Sequence, residues 1–184
     1  MTSTSTYTLH ETAKRIGHYQ WIEQRLFELM GSWVNDCDNP EGAYLLGVQS
    51  YHHQFHSELW SRQLSQLGTV VSDDPVAAPS ERIEKWFEPE TWSESSESER
   101  MAGLYRVLLP RLVRTYSDHM GRITEVTDGP TVRNLQLCLN DDIPDWTKGE
   151  FYVQSILTSP SLVADANSRQ QQIETDVTGF GGLF

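Results

Sequence analysis

The sequence has 184 residues, with 26 Asp and Glu against 14 Lys and Arg and a formal charge of −12. A chain of this length can bury a full single-domain core, and so acidic a surface repels phosphate backbones and anionic lipid, which argues against nucleic acid and membrane as partners. Cys37 and Cys138 stand too far apart for a CxxC pair, and the chain opens without a basic, apolar leader, so the expectation is a soluble, cytoplasmic protein without a disulfide framework.

Alternation of apolar and polar residues is nearly absent, whereas apolar residues recur at i, i+3, i+4 and i+7 in four long segments. The fold class expected is all-α. The first helix is expected over 11–35, with Ile16, Tyr19, Leu26, Phe27 and Met30 on one stripe. The stretch NDCDNPEG ends it. Asn39 as N-cap, Pro40 at the first helical position and Glu41 in the first turn then start a second helix, expected to end near 68.

Residues 69–98 hold three prolines and many Ser, Asp and Glu, so they read as a long connection carrying a short helix over 81–86. Trp86, Phe87 and Trp92 lie within it, and at roughly 25 cal/mol per Å2 their apolar area is too large to leave in water. The connection should therefore lie against the helices. A third helix over 99–126 carries Leu104, Tyr105, Leu108, Leu112 and Ile123 inward, with a kink expected at Pro110. Asp128, Gly129 and Pro130 form the next turn and open a fourth helix with Leu135, Cys138 and Leu139 inward, interrupted at Pro144 and resuming through FYVQSIL. The polar remainder, with glycines close to its end, reads as an extended or partner-docked tail. The expected organisation is one helical domain over 1–160, with a crossover over 69–98, and a C-terminal tail over 161–184. Short, long, short connections make it a four-helix bundle with one long crossover between helices 2 and 3.

Projected at about 100° per residue, each helix turns an ionisable group inward. Glu23 falls in the first stripe. His52 and His56 fall between Leu45, Val48, Phe55 and Leu59, with His53 at the solvent edge. His119 falls with Leu108 and Leu112, and Asp142 with Cys138 and Leu139; Asp145 joins if the helix survives Pro144. A lone buried carboxylate costs several kcal/mol, so these groups point to mutual pairing or a metal ion. Glu23 and the His52/His56 pair stand at one level, whereas His119 lies about 10 Å further along and reads as a satisfied core histidine. The rival readings are a boundary Glu23 paired with Arg25 or Lys14, core histidines bonded to Tyr or Glu, and helix-end chemistry for Asp142 and Asp145. Tyr51 is either a packing residue or an acid partner beside the histidines.

The stretches YQWIEQRLFELMGSWV, HHQFHSELWSRQL and DGPTVRNLQLCLNDD, spanning most of 17–150, resemble the ferritin-like helical bundles, in particular a branch of actinobacterial type with an altered di-iron ligand set. The resemblance implies a four-helix bundle with a central polar site. In metal-loaded relatives this is a di-iron carboxylate centre with Glu from two helices and Glu-x-x-His from the other two. Glu23 matches the first Glu and His56 the first motif histidine. His53 stands where that motif has Glu, no Glu matches on the third helix, and Asp142 and Asp145 replace the last motif.

Two functions from different classes follow. One is a degenerate or metal-independent member acting as subunit or accessory of a small-molecule biosynthetic enzyme, with a protein partner or a homodimer. The other is a non-haem iron, manganese or zinc metalloenzyme of oxidoreductase type acting on a small metabolite, with Glu23, His53, His56 and Asp142 as candidate ligands. Acid/base chemistry by Glu23 and His56, with His52 and Tyr51 beside them, is the metal-free catalytic variant.

Overall fold

The computed structural model describes residues 7–67 and 76–183. Among the described residues all regular structure is helical. No described helix is long and apolar enough to cross a membrane.

Helix α1 spans Leu9–Trp33 and closes with a 3-10 turn, Val34–Asp36. It starts on a reciprocal cap: the Thr8 hydroxyl accepts from the Glu11 amide at 3.2 Å and the Glu11 carboxylate accepts from the Thr8 amide at 2.7 Å. Helix α2 spans Pro40–Leu67, and Asn39 accepts from the Glu41 amide at 2.9 Å, as the Asn-Pro-Glu signal requires. Residues 68–75, the first part of the expected crossover, lie outside the described residues. Helix α3 spans Glu81–Trp86, where a short helix is expected, and Trp86, Phe87 and Trp92 are buried.

Helix α4 (Glu97–Gly103), a π turn (Leu104–Leu108) and α5 (Leu109–Met120) follow one another without a break. The kink expected at Pro110 becomes this π turn, in which the Leu109 amide donates to the Leu104 carbonyl five residues back. A proline has no N–H for the carbonyl four residues earlier and its ring crowds that carbonyl; the widened turn absorbs the mismatch. The rod ends at Met120, earlier than expected, and Thr124 caps helix α6, Glu125–Ile156. The Asp-Gly-Pro signal is a cap within α6 rather than the turn between helices. Asp128 leaves helical geometry (φ −158°, ψ 66°) and its carboxylate accepts from the Thr131 amide at 3.3 Å. Pro144 does not interrupt α6. It lies on the exposed side, above the exposed Asn140, so the carbonyl it leaves unpaired faces water.

The expected extended tail is instead helix α7, Pro160–Gly179, capped by Ser159 and packed on α4. Its inward face is only Ala166, Ile173 and Val177, a stripe too thin to stand out in so polar a stretch. Gly103 permits the contact: a Cβ there would lie 2.5 Å from Cδ1 of Ile173.

Contacting pairs run in opposite order along neighbouring helices. Glu23 meets His53 and Gln20 meets Ser57, so α1 and α2 are antiparallel. Gln49 meets Asp145, and Gln63 meets Asn134, which sets α2 against α6 in the same way. Tyr19 meets His119 and Glu23 meets Tyr116, so α1 also runs against α5.

The face that α2 buries is not the expected one. Leu46, Gln49, His53, His56, Trp60 and Gln63 are buried, while Leu45, Val48, Phe55 and Leu59 are half-buried. Phe27 on α1 is likewise half-buried rather than part of the core stripe.

Candidate metal centre

Each helix around the centre contributes through its inward face. Glu23 comes from α1, His53 and His56 from α2, Tyr116 from α5, and Cys138 and Asp142 from α6. On α2 the i, i+3 spacing places both imidazoles on one side. Glu23 and His56 are 0% exposed, and His53 and Asp142 are 1% exposed.

Glu23 is the hub. His53 Nδ1 donates to its Oε2 at 2.5 Å, and the Tyr116 hydroxyl donates to its Oε1. His56 Nδ1 lies 3.5 Å from Glu23 Oε1 and 3.5 Å from Asp142 Oδ1, within ion-pair range but without a hydrogen bond to either. Its other nitrogen, Nε2, donates to Asp141 Oδ2 at 3.1 Å, at the edge of the cluster.

Several expectations change here. His53, expected at the solvent edge, is at the centre. His52 is half-buried and turned aside, with Nδ1 donating to Asp145 Oδ2 at 2.6 Å. Tyr51 is 68% exposed and points away from the cluster, so it is no acid partner to these histidines. The apolar residues of α2 flank its buried face, which rotates the true inward direction toward 53 and 56. Arg25 pairs with Glu28 at 2.8 Å, leaving Glu23 to the histidines rather than to a surface cation. His119 is a core histidine, paired through Nδ1 with the Tyr19 hydroxyl at 2.9 Å, but only half satisfied, since its buried Nε2 has no hydrogen-bond partner. Neither Tyr116 nor Asp141 is among the candidate residues read from the sequence. The signal for Tyr116 is its position four residues beyond Leu112 on the same stripe; Asp141, adjacent to the inward Asp142, gives none.

The charges sort themselves by environment. Burial alone would raise the Glu23 carboxyl, but the His53 and His56 imidazoles outweigh it and hold it at about 2. Burial, and then the Glu23 charge, push Asp142 up to about 7, with both imidazoles pulling partly back. His56 is opposed by burial yet raised well above its ordinary value by Glu23 and by its bond to Asp141. Burial lifts the Cys138 thiol to about 12, and burial next to Glu23 keeps Tyr116 a phenol. One carboxylate is thus firmly ionised while its neighbour holds a proton near neutrality.

The donor set fits a metal ion. Ligand atoms of His53, His56 and Asp142 lie within 4.8 Å of one another, as do those of Glu23, His56 and Cys138. Two buried atoms in the cluster, His56 Nδ1 and Asp142 Oδ2, have no hydrogen-bond partner. A buried polar atom without a partner costs about 1–3 kcal/mol. A cation bound between them would satisfy both: Asp142 would give up its proton, His56 would give up the one on Nδ1, and Nε2–H would stay on Asp141.

Comparison with protein-family models, curated proteins and solved structures returns no match for this chain.

Proposed function

We propose that the chain is a ferritin-like four-helix bundle, with α1, α2, the α4–α5 rod and α6 as its helices and residues 68–96 as its one long crossover, and that its centre holds a single divalent transition-metal ion. The support for the topology is the opposite running order of α1 against α2, of α2 against α6 and of α1 against α5. The candidate ligands are Glu23, His53, His56 and Asp142, which meet at His56: His53, His56 and Asp142 form one set of donors, and Glu23 joins His56 in the other. A mixed set of imidazoles and carboxylates suits iron, manganese or zinc. One ion is proposed rather than two because the third helix presents Tyr116, a phenol bonded to Glu23, where a di-iron bundle presents a Glu.

The protein is then a non-haem metalloenzyme of oxidoreductase type acting on a small metabolite. The ion supplies Lewis-acid or redox chemistry when bound. The chain would supply the rest: Glu23 stays ionised, Asp142 and Nδ1 of His56 would yield their protons to a bound cation, Asp141 would hold Nε2–H of His56, and Tyr116 orients Glu23. The observation that carries this reading is the partnerless pair, His56 Nδ1 and Asp142 Oδ2, inside a cluster of donors. Cobalt(II) titration of the full chain tests it. Visible bands saturating at one equivalent, and absent in His56→Ala/Glu23→Ala, are expected; no cobalt spectrum in the folded wild type contradicts it.

One observation favours a second reading. Glu23 is fully engaged by His53 and Tyr116 without any ion. This supports a metal-independent member, working as an accessory of a biosynthetic enzyme or by Glu23/His56 acid–base chemistry. Helix α7 lies on its own bundle, so the tail no longer offers a docking segment for that role.

A further inference from the structure

The outer side of α1 carries a second constellation. Trp21 and Arg25 stand two residues either side of Glu23, a turn of about 200°, so they leave the helix opposite the metal centre. Between this face and the stretch that follows α3 lies a cavity of about 670 Å3. That is the size of a small-molecule site.

Its floor is apolar and aromatic: Leu29, Trp33, Phe87 and Trp92 are all buried and all line it. Trp21 forms a wall and meets Phe87 edge to face, with ring centroids 5.6 Å apart. The rings already hold cations. Arg25 stacks on Trp21 and Arg100 on Trp33, each 5.7 Å from the ring centroid. Both guanidinium groups are neutralised at the rim, Arg25 by Glu28 at 2.8 Å and Arg100 by Asp36 at 3.0 Å. Glu84 and Glu88 also line the cavity, and neither forms an ion pair among the described residues. Four carboxylates therefore face two guanidinium groups whose charge is already balanced.

We propose that this cavity binds a small organic cation, a protonated amine on an apolar or aromatic body. The apolar floor takes the body, and Glu84 and Glu88 supply the unbalanced negative charge that selects the ammonium. An anion of the same shape finds the unpartnered Nε–H of Arg25 and of Arg100, but on groups whose charge is already balanced, and it meets the surplus carboxylate. The site is separate from the metal centre and does not depend on it.

Tryptophan fluorescence of the full chain tests the proposal, because Trp21, Trp33 and Trp92 line the cavity. The probes share one ring and differ in charge: phenethylammonium, 2-phenylethanol and phenylacetate. The expected result is saturable quenching by the amine, about tenfold tighter than by the alcohol, with phenylacetate weakest. Added salt should weaken the amine alone. In Glu84→Gln/Glu88→Gln, both exposed positions, the amine should fall to the level of the alcohol while alcohol binding persists. Equal binding of amine and alcohol, preference for phenylacetate, no response to the amine at millimolar concentration, or an amine preference that survives in the double variant would each overturn it. None of these outcomes alters the metal content of the same sample, so failure here is distinguishable from failure of the metal reading.

Discussion

The Nδ1 of His53 lies 2.5 Å from Oε2 of Glu23, both wholly inside the protein and contributed by antiparallel helices. A contact of this kind joins α1 to α2 by a hydrogen bond to a buried carboxylate as well as by packing. Breaking a buried pair leaves one partner uncompensated, and the loss exceeds what the intact pair contributes.

Glu23→Ala should therefore destabilise the chain by about 3–5 kcal/mol. It strands His53, His56 and the Tyr116 hydroxyl at once. Urea unfolding checks this, and a loss below about 1 kcal/mol would mean that Glu23 is not the hub of the cluster.

His119 gives a pH-dependent prediction. Burial, with Arg15 adding to it, lowers its pKa to about 4, whereas the unfolded chain takes up that proton near 6.5. The contribution of His119 is thus complete above 6.5 and is lost as pH falls toward 4. Asp142, raised to about 7, acts oppositely in the same window because the folded state keeps its proton. The wild-type curve sums the two, so the difference from His119→Gln isolates His119. The destabilisation caused by His119→Gln should shrink by about 2 kcal/mol between pH 7 and pH 5. A pH-independent difference would place the imidazole in contact with water.

Gly149→Ala tests the register of α6 on the α4–α5 rod. A Cβ at this position would stand 2.0 Å from the ring of Tyr105, whose hydroxyl donates to Gln49 at 2.8 Å. The ring has no room to yield without losing that bond, so a cost of about 1–3 kcal/mol is expected in thermal melts. A variant melting with the wild type would put Tyr105 elsewhere.

The legible part of the fold was its punctuation. Asn39-Pro40-Glu41 carries a start signal that local chemistry alone decides, and the 81–86 helix stands where it is expected, capped by the Ser80 hydroxyl. Helix α7 was illegible because Ala166, Ile173 and Val177 are its whole buried face. The centre was half legible: Glu23, His56 and Asp142 lie where projection puts them. His53 does not, because α2 buries polar residues and leaves Leu45, Val48, Phe55 and Leu59 on its flanks, so a search for the most apolar face points the wrong way. A helix that breaks the hydrophobic pattern in this way is where function is expected to override packing.

Asp141→Asn separates the metal reading from a structural salt bridge. Asp141 holds Nε2 of His56 at 3.1 Å and is itself partly exposed, so the fold should tolerate the change. A weaker acceptor makes Nδ1 a poorer ligand, and metal affinity should fall by about 10–100-fold in competition titrations. Asp145→Asn, which touches His52 rather than His56, should leave affinity within about twofold of wild type. Equal effects from the two variants would count against His56 as a ligand.

The most direct measurement is elemental analysis of the full chain purified without chelator, beside His56→Ala/Glu23→Ala. The account predicts one iron, manganese or zinc per wild-type chain and none in the double variant. A wild-type protein that is folded by circular dichroism, free of metal, and takes up none when iron, manganese and zinc salts are supplied would contradict it.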